Sequence, residues 1–411
     1  MRAIADGEAR VDRAFAEEMS YCLGCLACQT ACPAGVHYAE LFEAGRAEVE
    51  ASGQSRGLMR SFWRWLTLRV LFQEPGLLRW VGRVLRWVQR GEWDVFARDS
   101  GLTQLLPSSL RRLEPQTPRM SDRFSDECIA PVERPVGVEK RWKVALLTGC
   151  VQDLAFSEIN RDTVDVLLAN GCEVHTASQQ PCCGSLHCHN GEPSLAADLA
   201  RRMIQLMPPA EFDAVITNAG GCGSHLRQYG ALLAADERYA EQGRLWDSKV
   251  RDIHEWLEEI GVRVPAARLD AGESRPTVVS YHDSCHLAHG QKVVQQPRKI
   301  LSKIPGVTLV ELPEASWCCG SAGVYSITQP EQSGQLLERK VRHVLSTGAR
   351  VLATANPGCH LQILNGLREA GSLVEVVHPV TLLARAYRNE AGGRGVLDRD
   401  RNEAAASERT K

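Results

Sequence analysis

Short, unbroken apolar runs alternate with amphipathic stretches along the C-terminal two-thirds of the chain. Val144-Ala-Leu-Leu147 has no polar position, the pattern of a strand covered on both faces. It runs into Thr148-Gly149-Cys150. Phe212-Asp-Ala-Val-Ile-Thr217 is a second strand and leads to Gly220-Gly221-Cys222. Thr277-Val-Val-Ser-Tyr281 leads to Cys285, and Arg350-Val-Leu-Ala-Thr354 leads to Cys359. Helical periodicity fills the intervals, as at Asn160–Ala169 and Pro330–Leu345, and another helix starts near Tyr38. This alternation predicts an α/β fold of parallel units. No run of eighteen apolar residues occurs, so no transmembrane helix is expected.

The strand–helix pattern is written twice. Cys150 maps onto Cys285 at an offset of 135, Cys182-Cys183 onto Cys318-Cys319 at 136, and Cys222 onto Cys359 at 137. The flanking residues agree: Pro181-Cys-Cys-Gly184 against Trp317-Cys-Cys-Gly320, Gly221-Cys222 against Gly358-Cys359, and Ile253-His254 against Val377-His378. Residues 141–265 and 275–388 are therefore read as two copies of one domain. The outer cysteines of each copy follow strands. Ligands of open parallel sheets bind outside the carboxyl ends of the strands, so cysteines distant in sequence can meet there. The glycine after each Cys-Cys pair permits a tight turn.

Composition narrows the chemistry. The 411 residues are 44% hydrophobic and 24% charged, with a formal net charge of -2. That balance gives no global attraction to nucleic acid. No charged-then-apolar signal segment opens the chain, and fifteen cysteines in a reducing, cytoplasmic setting point to metal or redox work more than to disulfides. The charge is uneven, however. Arg56 to Arg90 holds eight arginines and one acid, Glu74, and five of the nine tryptophans lie between Trp63 and Trp93. Arg79, Arg83, Arg86 and Arg90 share one helical face, with Leu77, Trp80, Val84 and Trp87 on a neighbouring one. Such a helix suits the inner surface of an anionic membrane, giving a peripheral contact through 56–93. Packing on a partner subunit or on the protein's own core explains it equally well. Residues 51–140 are read as an Arg/Trp-rich helical connector ending in an aperiodic linker from about 100. Residues 389–411 are Gly-rich and charged, the composition of a disordered tail.

Ahead of the connector, residues 1–50 carry Cys22, Cys25, Cys28 and Cys32-Pro33 in the spacing C-x₂-C-x₂-C-x₃-C-P. That is the ligand run of a bacterial [4Fe–4S] cluster. A zinc knuckle is the alternative, although zinc pairs usually stand far apart. In two-cluster ferredoxins the fourth cysteine serves the other cluster, whose main ligands are missing here. Either Cys32 folds back, or a second cluster motif precedes Met1; the latter is expected, making 1–50 a partial ferredoxin-like module.

The quartets Cys150, Cys182, Cys183, Cys222 and Cys285, Cys318, Cys319, Cys359 are read as two further cofactor sites. Cys128, Cys172 and Cys188 have no counterparts in the pattern and are assigned to packing. His187, His189, His282, His286 and His289 crowd the cysteines. They are read as hydrogen-bonded structural histidines, with His187 and His289 the first candidates for a proton donor or ligand. No G-x-G-x-x-G, P-loop or nucleophile elbow occurs, so the substrate chemistry is expected on another chain.

These residues carry a family resemblance. Tyr21-Cys-Leu-Gly-Cys-Leu-Ala-Cys-Gln-Thr-Ala-Cys-Pro-Ala-Gly-Val36, Cys182-Cys-Gly-Ser-Leu-His187, His282-Asp-Ser-Cys-His-Leu-Ala-His-Gly290, Trp317-Cys-Cys-Gly-Ser-Ala-Gly323 and Asn356-Pro-Gly-Cys359 resemble the iron–sulfur subunit of glycolate oxidase. The resemblance covers nearly the whole chain. It implies an electron-transfer subunit with [4Fe–4S] clusters that takes electrons from FAD-binding subunits oxidising glycolate and passes them to membrane quinone. It departs from the wider Cys-Cys-Gly superfamily, as in heterodisulfide reductase, whose motif often ends C-x₂-C: Ala219 and Asn356 stand at the first of those positions. Alternatives are a thiol–disulfide enzyme of the heterodisulfide reductase type, the equivalent subunit for lactate or glycerol 3-phosphate, and a zinc-stabilised scaffold.

Overall fold

The computed structural model describes residues 1–55, 57–105, 117–269 and 275–390. The tail beyond 390, with its expected disorder, lies outside the described residues, as does 106–116 of the linker.

Among the described residues, nine strands form two sheets. The first holds β1 (Val132–Glu133), β2 (Trp142–Leu146), β3 (Cys172–His175), β4 (Ala214–Thr217) and β5 (Val250–Asp252), in the order β1-β3-β2-β4-β5. The second holds β6 (Thr277–His282), β7 (Val307–Val310), β8 (Val351–Thr354) and β9 (Glu375–Val377), in the order β7-β6-β8-β9. Apart from β1, all pairings are parallel, and the two copies share one strand order: second, first, third, fourth. The duplicated α/β architecture expected from the cysteine spacing is present.

Both sheets feed one core layer. Val144 and Ile216 of the first copy and Val279 and Val351 of the second are buried in a single cluster with Leu167 and Leu383. Helix Ser157–Ala169 packs on helix Pro379–Glu390 across the seam, where the Asn170 amide donates to Tyr387 Oη at 3.2 Å. The paired histidines of the repeat meet there: His254 and His378 stack at 5.3 Å and 24°. Helix Pro379–Glu390 extends two residues into the stretch assigned to the tail, and Glu390 pairs with Arg263 at 2.8 Å.

The aperiodic end of the connector is structural. Phe124 is fully buried, and β1 adds antiparallel to the edge of the first sheet. Aperiodic spacing concealed this because only two residues pair and the anchors stand singly.

The Arg/Trp helix Pro75–Arg90 lies inside out relative to an ordinary amphipathic helix. Arg79 is 7% exposed and paired with Asp153 at 2.9 Å and Asp126 at 2.5 Å. Arg86 covers the Phe124 ring at 3.8 Å and reaches Glu127. The Trp face looks outward, with Trp80 59% and Trp87 66% exposed. Arg90 pairs with Asp122 at 3.1 Å at the surface, so three of the four arginines of the basic face have acidic partners within the protein.

Candidate iron–sulfur sites

Each Cys-Cys-Gly quartet converges at the carboxyl edge of its sheet. Cys150 follows β2 and Cys222 lies in the first turn of helix Gly220–Leu226, just past β4. Cys182-Cys183 sits on the loop between β3 and helix Ser185–His189. Cys150 and Cys182 are 3.7 Å apart, and thiol contacts continue from Cys182 to Cys183 and from Cys183 to Cys222. The second copy repeats the order Cys285, Cys318, Cys319, Cys359. Gly184 and Gly320 turn each loop at φ of 94° and 90°, a left-handed conformation that favours glycine. A Cβ on Gly320 would lie 2.6 Å from the Ser333 carbonyl oxygen.

The N-terminal motif behaves differently. Cys25 interacts with Cys22, Cys28 and, across the module boundary, Cys285. Cys32 stands apart on the loop following helix Ala27–Ala31, where backbone N–H groups of Val36 and Ala34 hold its thiol below the usual range. The module is bound to the second copy by His286 Nε2 to the Gly24 carbonyl at 2.8 Å, His289 to Thr30 at 3.0 Å and the Tyr325 hydroxyl to the Tyr21 carbonyl at 3.1 Å. Asn356 links the two copies. Its Oδ1 accepts from Gly221 N–H at 3.0 Å and its Nδ2 donates to Cys359 Sγ at 3.5 Å.

The donor chemistry suits iron–sulfur clusters. All fifteen cysteines are free thiols. Contact with Cys182, then burial, pushes the Cys150 thiol up; contact with Cys318, then burial, does the same to Cys285. Stacked thiols in an apolar pocket are poorly satisfied as protonated groups. A cluster would take them as thiolates and remove that conflict.

The relatives agree with this chemistry. The chain is 34% identical over 391 residues to the probable glycolate oxidase iron–sulfur subunit of Bacillus subtilis, covering 94% of this chain and 86% of the relative. It is 30% identical over 380 residues to the glycolate oxidase iron–sulfur subunit of Escherichia coli, covering 91% and 83%. The chain belongs to the glycolate oxidase iron–sulfur subunit family. Residues 144–227 and 279–364 match the cysteine-rich domain family, and 59–117 match the linker region of the glycolate oxidase iron–sulfur subunit. Lactate utilization protein A of Oceanobacillus iheyensis is 31% identical over 242 residues, 59% of this chain and 96% of that protein.

Within this glycolate oxidase-type subunit the two quartets differ in surroundings. His282, fully buried, places a ring nitrogen within 4.8 Å of the Cys319 and Cys359 sulfurs and lies by the Ala315 backbone. The first copy has Leu147 there. Lys340 is 1% exposed, donates to the Glu314 carbonyl at 2.6 Å and interacts with Cys318, Cys319 and Cys359. The matching turn of the first copy carries Met203 and Ile204. Sequence reading missed Lys340; the available signal was one lysine beside the apolar row Leu337, Val341, Val344. His187 instead serves the fold, with Nε2 2.8 Å from the Leu68 carbonyl oxygen.

Proposed function

We propose that this chain is the electron-transfer subunit of a membrane-associated complex that oxidises glycolate to glyoxylate, with the substrate chemistry on FAD-binding subunits. Cys22, Cys25 and Cys28, with Cys32 as the candidate fourth thiolate, would hold one [4Fe–4S] cluster, and each quartet another. A [4Fe–4S] cluster, when bound, takes up and releases electrons singly.

The observation that carries this reading is the continuity of the three cysteine groups. Cys25 lies beside Cys285, Tyr325 interacts with both Cys22 and Cys318, and Asn356 spans the gap between the quartets. These contacts support a path from the N-terminal module through the second quartet to the first. The first quartet lies close beneath the Arg/Trp helix, where Cys150 packs against the cluster of Leu78, Phe124 and Leu154. The exposed Leu77, Trp80, Val84 and Trp87, flanked by exposed Arg83 and Arg90, form a face suited to the bilayer interface, where a membrane quinone would accept electrons.

The test is anaerobic purification with the flavin subunits, followed by iron and acid-labile sulfide analysis and EPR. The expected outcome is about four irons per site, signals that appear on adding glycolate, and their loss on adding a quinone. Iron-free protein, or signals unmoved by glycolate while the flavin subunits turn over, would overturn the proposal. Lactate is the second substrate reading, favoured by the similarity to lactate utilization protein A, and the same assay with lactate distinguishes them.

A further inference from the structure

A second set of metal-binding side chains lies outside the three cysteine groups, at the seam between the N-terminal module and the first copy. Glu43 comes from helix Tyr38–Ser52, Cys188 and His189 from helix Ser185–His189, and His225 from helix Gly220–Leu226. One ligand atom from each of Glu43, Cys188 and His225 lies within 4.8 Å of the others. Glu43 Oε1 is also 3.3 Å from His189 Nδ1 and 4.0 Å from His225 Nδ1.

Ordinary packing leaves this set unexplained. Cys188 and His225 are each 2% exposed, and neither ring nitrogen of His225 has a hydrogen-bond partner among the described residues. A buried imidazole left without partners costs on the order of 1–3 kcal/mol, and such groups are ordinarily satisfied. Glu43 alone faces His189, the Cys188 thiol and His225, and at 4.0 Å it does not hydrogen-bond His225. Nearby His286 is already engaged by the Gly24 carbonyl. The set is also absent from the repeat. At the offsets of 136 and 137, Cys188, His189 and His225 correspond to Val324, Tyr325 and Gln362. It is therefore separate from the duplicated cysteine chemistry.

One thiolate, two imidazoles and one carboxylate are the donor types that a tetrahedral, borderline-soft divalent ion takes, and three of them already converge. We propose that Glu43, Cys188, His189 and His225 bind a single divalent transition-metal ion of the zinc class, which pins the N-terminal module to the first copy. Binding releases the Cys188 proton to solvent and converts the unpartnered His225 nitrogen into a ligand. The ion needs no redox change.

The test uses the full chain, expressed with supplemental zinc and purified without oxygen, alongside C188S and H225Q. Elemental analysis should find about one zinc per chain in the parent and less than a fifth of that in each variant, with iron unchanged. Protein grown with cobalt should show a thiolate-to-cobalt absorption band that C188S abolishes. Zinc-free parent protein overturns the site. So does zinc retained in both variants, or a cobalt band that survives C188S. If one variant loses iron as well as zinc, the other variant and the cobalt band decide.

Discussion

Single side chains give the two quartets different electrical surroundings. The second faces the buried Lys340 ammonium and His282 imidazole; the first faces Leu147, Met203 and Ile204. A fixed positive charge favours the reduced form of any centre the quartet holds. Lys340→Met should therefore lower the reduction potential of the second site by roughly 1–2 kcal/mol equivalent, the scale of one charge in a partly screened interior. Redox-titrated EPR checks this, and no shift would mean that the ammonium is neutralised. Glu173, on β3, shows the opposite use of charge. Hydrogen bonds from His175, then Lys140, with Arg134 behind them, hold its carboxyl at about 2. Its folded value lies below its unfolded one. Its stabilisation is thus fully present above the unfolded pKa and is lost as pH falls through the folded value. Glu173→Gln should cost about 1 kcal/mol at pH 7, given the exposure of Lys140 and Arg134. In urea unfolding the gap should close as the pH falls from about 4.5 towards 2.

At the scale of elements, helix Pro75–Arg90 separates what the sequence disclosed from what it withheld. Periodicity disclosed a helix with arginine on one face and tryptophan on the next. It could not disclose which face was covered, because the deciding acids, Asp126 and Asp153, are 47 and 74 residues away. Arg79→Ala should destabilise the protein by about 3–5 kcal/mol, since it leaves Asp153 buried without its cation. Arg83, exposed on the same helix, should be nearly silent. Trp80→Ala with Trp87→Ala should leave the melting temperature within a few degrees and release the chain from vesicles containing anionic lipid, as read by co-sedimentation. Retention on the vesicles would assign the exposed face to a partner subunit instead. Element length and composition set the other limit of legibility. β2, β4, β6 and β8 stand out as apolar runs, whereas β5 and β9 are only three residues each, and β3 and β7, as long as β4 and β8, have their apolar runs broken by Glu173 and Thr308.

At the scale of the molecule, the repeat and the meeting of its cysteines could be read in advance, because matched spacings at the ends of strands leave little freedom. The docking of the N-terminal module could not. It rests on single contacts such as His286 to Gly24, Tyr325 to Tyr21 and Gln329 to Ser20, between residues hundreds of positions apart. That docking gives the proposed path a direction. Cys25 neighbours Cys285 of the second quartet, while the first quartet lies under the Trp-bearing helix. If the N-terminal cysteines receive electrons from the flavin subunits and pass them on through Cys285, the second quartet is the relay to the first. Replacing Cys318 and Cys319 together with Ser should then leave the N-terminal signal reducible by substrate while the signal belonging to Cys150, Cys182, Cys183 and Cys222 stays oxidised. Quinone reduction should fall with it. Freeze-quench EPR on the assembled complex makes the comparison, with dithionite confirming that the first quartet still holds its iron. Substrate reduction of the first quartet in that variant would mean that electrons enter beside it, and the order of the three sites would have to be reversed.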